Sequence, residues 1–156
     1  MKRRFKIAWA ILPDAIQNDL KPFIKDIRMV SSLIGTQIRH TNGEVTTSEK
    51  DGSGWCVPDP QGKCVYIRLH QDLQDIDEFA TVYVMLHEIA HALEFLQDDE
   101  WRIDIRSEAR SEFAADMQVA AWAARNAYRA YDGGYKYAKE IAALAIDHAK
   151  NHLLAW

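Results

Sequence analysis

Two histidines, His87 and His91, stand four residues apart in the run His87-Glu88-Ile89-Ala90-His91. On a helix that spacing is a little over one turn, so both imidazoles leave the same face. Two ring nitrogens so placed can reach one zinc ion at about 2 Å each. Glu88 is turned by one residue. Its carboxylate addresses a water on such an ion rather than the ion itself, which is the place of a general base that later returns the proton.

A hydrolytic zinc needs a third protein ligand and one open position. His91 is followed by Ala92-Leu93-Glu94-Phe95-Leu96-Gln97-Asp98, and the next histidine is His148. The Gly-and-His pattern of metzincins is therefore excluded. A carboxylate is the natural candidate. Glu108, Glu112 and Asp116 recur every fourth residue on the segment that follows and share one face. Three acids on one stripe repel one another unless a cation lies close. Glu112 is the preferred third ligand and Glu108 the alternative. Asp116, one turn on, suits the acceptor that fixes the tautomer of a ligating histidine. Hydrolysis also needs a donor for the developing oxyanion. Tyr83, Tyr128, Tyr131, His148 and His152 are the available groups. The sequence does not choose among them, and His148 with His152 reads as a packed or solvated helix face.

The elements that position these residues follow from periodicity. Residues 14–34 carry Ile16, Leu20, Phe23, Ile24, Ile27, Val30 and Ile34 at helical spacing. They are expected to form an N-terminal helix, capped by Asp14 and disturbed at Pro22. Asn42-Gly43 marks a hairpin between 37–41 and 44–47. Residues 48–54 read as a polar loop, and 55–57 and 63–69 as two further strands. Together they predict a small antiparallel sheet of three or four strands. From residue 75 the chain reads as helical. A capping box, Asp75 with Glu78, opens the helix of His87, and Val82, Met85, Leu86, Ile89, Leu93 and Leu96 form its core stripe. After a polar connector anchored by Trp101, Ile103 and Ile105, a helix from Ser107 to about Tyr131 carries the acids. A last helix, 135–154, buries Ala138, Ile141, Ala142, Ala145, Ala149 and Leu153.

The chain has 156 residues, 48% hydrophobic and 27% charged, with a net charge of −4. That composition supports one folded domain over 1–156 and gives no basic excess for nucleic acid. No apolar run is expected to span a membrane. The apolar stretch 7–12 is too short for a signal peptide, so a cytoplasmic location is expected. Cys56 and Cys64 flank a Pro/Gly turn; in a reducing cell they are free thiols, and in an oxidising compartment they could pair across it.

His87-Glu88-x-x-His91 with Glu112-Phe113-Ala114-Ala115-Asp116 resembles the gluzincin metallopeptidases, in particular the small ImmA/IrrE-type enzymes and the catalytic domain of anthrax lethal factor. The likeness covers about residues 63–120. It departs from the ImmA/IrrE pattern in Ala90, where Gly is usual, in the position of Glu108-Ala109, one residue early, and in Met117-Gln118-Val119-Ala120, where a Leu-Leu-Met-Pro run is common. The resemblance implies an α+β zincin-like domain and a Zn2+ cofactor held by His87, His91 and Glu112. It further implies Glu88 as base and a protein or peptide substrate bound along the edge of the 64–69 strand. A zincin that binds without cutting has nearly the same sequence, though it has no need of Glu88. A metal-free helical interaction domain and a cell-wall amidase are the remaining alternatives.

Overall fold

The N-terminal residues form a helix, α1 (Lys2–Ile11), whose Ile7, Ala8 and Ile11 are buried. The computed structural model describes residues 1–35, 37–39, 45–47, 49, 51–59, 64–97, 105–130 and 135–153; side chains at 37–39, 45–46, 105–108, 127–130 and 135–137 lie outside the description. After α1 come α2 (Asp14–Leu20), β1 (Ile24–Val30), β2 (Gln37–Arg39), β3 (Val45–Thr47), β4 (Gly54–Pro58) and β5 (Val65–His70). Three long helices follow, α3 (Glu78–Gln97), α4 (Ile105–Ala130) and α5 (Tyr135–Lys150). Among the described residues this is an α+β fold of five α-helices, a three-stranded mixed sheet ordered β1-β5-β4, and a separate β2-β3 hairpin.

Two expectations fail here for physical reasons. The 14–34 segment is not one helix. α2 stops at Leu20, ahead of Pro22, and 24–30 is a strand. The helical spacing arises from a bulge. Ile24 pairs with Val65 and Asp26 with Tyr66, so Lys25 is an extra residue that resets the alternation. Ile24 and Ile27, three apart, therefore share the face of Val65 and Ile67. Nor is the sheet wholly antiparallel, because β1 runs parallel to β5 while β4 is antiparallel to it. β5 is thus the central strand, with Val65, Ile67 and Leu69 buried and both edges paired. A peptide cannot add along the 64–69 strand. β4 has no hydrogen-bonded strand on its other side among the described residues, although β2 lies close to it.

α3 packs against β4, β5, α1, α4 and α5. Its Val82, Met85, Leu86, Ile89 and Leu93 are buried as expected, while Leu96 is exposed. It starts at Glu78 rather than at Asp75, because the Asp77 carboxylate accepts the Phe79 N–H at 2.9 Å and takes the capping role. Arg4 of α1 ties the approach to α3, donating to the carbonyls of Leu73 and Ile76 and to Thr81 Oγ1 at 2.8–2.9 Å. By length and composition alone α3 is apolar enough to cross a membrane, a test that the buried core helix of a folded domain also passes. The Asn42-Gly43 turn and the 98–104 connector lie outside the described residues; β2 and β3 pair antiparallel as the turn requires. Cys56 is opposite Ile67 in the β4–β5 ladder, not opposite Cys64, and both cysteines are free thiols.

Candidate metal centre

α3 and α4 lie side by side, and the predicted faces meet. Glu112 reaches both histidines at once. Its Oε2 is 3.0 Å from His87 Nε2 and its Oε1 is 2.9 Å from His91 Nε2. The two Nε2 atoms are 3.1 Å apart. His87, His91 and Glu112 thus turn one ligand atom each toward a common point, and the cluster could hold a metal ion. The Glu108 side chain lies outside the described residues, as do those of Tyr128 and Tyr131.

Behind the cluster stands Asp116, with no exposed surface. Its Oδ1 accepts from His87 Nδ1 at 2.8 Å and from the Tyr83 hydroxyl at 2.7 Å. Its Oδ2 accepts from His148 Nδ1 at 2.6 Å. The bond to Nδ1 leaves His87 Nε2 for the cluster, the tautomer control that a ligating imidazole needs. His91 Nδ1 lies 3.2 Å from Ser111 Oγ and 3.5 Å from Glu94 Oε2, and Ser111 also donates to Glu94 at 2.5 Å.

The charges explain how the acid stripe on α4 is tolerated. Burial alone would lower the pKa of His87, but hydrogen bonds to Asp116 and Glu112 outweigh it and raise it to about 9. His91 likewise rises well above its usual value: burial opposes this, and Glu112 and Glu94 overcome it. Burial would raise Glu112, yet both imidazoles hold it well below the carboxylate range. Asp116 is lowered in the same sense against its burial, by His148, His87 and Tyr83. Without metal, imidazolium charge is the cation that the stacked carboxylates require. Burial and Asp116 push the Tyr83 hydroxyl far up, so it remains a neutral donor.

Glu88 lies against Gly54 of β4 while remaining close enough to His87, His91 and Glu112 to interact with them electrostatically. It is buried, and desolvation raises its pKa, opposed by His91, His87 and a hydrogen bond from the Cys56 backbone N–H. Gly54 makes the approach possible. A Cβ there would lie 2.9 Å from Glu88 Cγ and 3.1 Å from its Oε1. The edge strand therefore runs directly against the carboxylate of the His-Glu helix.

Four features of the site escaped sequence reasoning. Gly54 belonged to an apparent loop and gave no signal. Glu94 lies three residues beyond His91, a spacing that places it on the same face. Tyr83 acts on Asp116 and is not free to meet a substrate oxyanion from its present position. His148 is no bland helix face: its ring lies 5.6 Å from that of His87 and 5.0 Å from that of His152. The four-residue spacing of His148 and His152 matches that of His87 and His91 and was the available signal. The chain matches no protein-family model, no curated protein and no solved structure, so the reading of this centre rests on its own geometry and chemistry.

Proposed function

We propose that the chain is a zinc-dependent metalloendopeptidase of the gluzincin type, with a zincin-like fold. The observation that carries the reading is the convergence of His87 Nε2, His91 Nε2 and both Glu112 oxygens within 2.9–3.1 Å. Ligands at about 2.0–2.1 Å around a tetrahedral ion stand roughly 3.3 Å apart, so the three groups need to relax by only a few tenths of an ångström. Two imidazoles and one carboxylate also match zinc in donor chemistry and leave a fourth position open.

Zinc held there supplies Lewis acidity and lowers the pKa of a coordinated water toward about 7. The chain's own groups do the rest. Glu88 accepts a proton from the attacking water and delivers it to the leaving amine. Its raised pKa favours that second role, and the Cys56 N–H retains enough charge for the first. Asp116 keeps the His87 ring oriented with Nε2 outward, and Ser111 with Glu94 restrains His91. An extended peptide is placed beside β4, the strand against which Glu88 packs. The test is zinc content together with cleavage of a broad peptide library, with and without chelator. One tightly held zinc at this centre and chelator-sensitive cleavage are expected. Metal-independent cleavage, or no metal at saturating zinc, contradicts the reading.

A further inference from the structure

The C-terminal helix brings a second pair of imidazoles to the same carboxylate. We propose that Glu112, His148 and His152 form a second metal position, so that Glu112 bridges two divalent transition-metal ions. This rests on the reading of the first centre, because Glu112 is shared.

Three observations carry it. One ligand atom each from Glu112, His148 and His152 lies within 4.8 Å of the others, close enough for the three to converge on one ion. His152 Nε2 is buried and finds no hydrogen-bond partner among the described residues. A buried nitrogen left without a partner is costly, and a metal ion would satisfy it. The third observation is a symmetry in Asp116. Its two oxygens accept from Nδ1 of His87 and from Nδ1 of His148, at 2.8 and 2.6 Å. One buried carboxylate therefore fixes the same tautomer on a histidine from each pair and leaves Nε2 of both for coordination. His152 is held near His148 by its own backbone N–H, which donates to the Ala149 carbonyl at 3.1 Å as the helix closes. Imidazole-rich donor sets suit Zn2+ and its neighbours rather than Mg2+ or Ca2+. Paired ions of such a site stand about 3.5–4 Å apart, and in amide hydrolysis a second ion would help hold the attacking water or the carbonyl oxygen that becomes the oxyanion.

The alternative for His148 and His152 is an ordinary polar helix end. Zn2+ titration of the metal-free full chain, with elemental analysis after desalting, separates the two. Two ions per wild-type chain are expected, and one per His152→Ala chain, with the affinity for the first ion changed less than about threefold. A wild-type stoichiometry of one overturns the second position and leaves the His87–His91 centre standing. Two ions in His152→Ala also overturn it, and none in the wild type overturns both centres. Should His152→Ala fail to fold by circular dichroism, Co2+ in the wild type gives the answer. Two bridged ions quench each other's paramagnetic resonance signal, whereas a signal that simply doubles from one to two equivalents refutes the bridge.

Discussion

Zinc entering the His87–His91–Glu112 cluster must displace protons, and the structure sets how many. His87 has a carboxylate at each ring nitrogen, Asp116 at Nδ1 and Glu112 at Nε2, and this pairing favours the imidazolium in the metal-free protein. With its pKa raised to about 9, it carries close to one full proton on Nε2 at pH 7. His91 is also raised well above its ordinary value, by Glu112 and Glu94 against its burial, and adds to that count. The first equivalent of zinc should therefore release more than one proton from the two histidines at pH 7. Two unperturbed imidazoles, each about a quarter protonated at that pH, would release only about half a proton. A coordinated water with pKa near 7 adds about half a proton in either case. The assay is isothermal calorimetry in several buffers of different ionisation enthalpy, where the slope of observed heat against that enthalpy counts protons. A slope above about 1.5 is expected, and affinity should climb with pH from 7 at least until pH passes the raised pKa of His87, about 9. The sign follows from raised pKa values: protons compete with metal until pH passes the pKa of the free histidines. A slope below about one would refute the charge state inferred from the hydrogen bonds.

Two further outcomes follow from the same contacts. Asp116→Asn removes a charged acceptor from His87, His148 and Tyr83. It should weaken zinc binding about 10- to 100-fold in a chelator competition, and a change under threefold would show that the shared carboxylate does not orient the ligands. Gly54→Ala puts a Cβ 2.9 Å from Glu88 Cγ. Zinc content should stay unchanged while kcat falls, on the order of 100-fold if Glu88 moves by about 1 Å, with about 1–3 kcal/mol lost in stability; wild-type kcat would mean that Glu88 need not occupy its present place.

The site was legible in the sequence where its residues lie on long regular helices. Four-residue spacing places His87 with His91 and Glu112 with Asp116 whatever the tertiary arrangement, and the structure adds only that the two faces meet. What could not be read depends on contacts between distant segments. The β1 strand imitates a helix in part because the bulge at Lys25 puts Ile24 and Ile27, three residues apart, on one face. Its parallel pairing with β5 crosses about forty residues and leaves no local mark. The expectation that β5 offers an edge failed for the same reason: β1 occupies one side and β4 the other. His148 lies thirty-two residues from Asp116 in sequence, and only the packing of α5 on α4 brings them to 2.6 Å. Gly54 matters through what a side chain there would strike, which no pattern of residue types records.

The most direct test of the account compares wild type with Glu88→Gln for zinc content and peptide cleavage in one preparation. The substitution keeps the size of the side chain but removes its capacity to take a proton, and no zinc ligand changes. The account predicts equal zinc in both proteins and a cleavage rate reduced by roughly 10²- to 10⁴-fold in the variant, the usual contribution of a positioned base. Equal zinc with unchanged cleavage would contradict it.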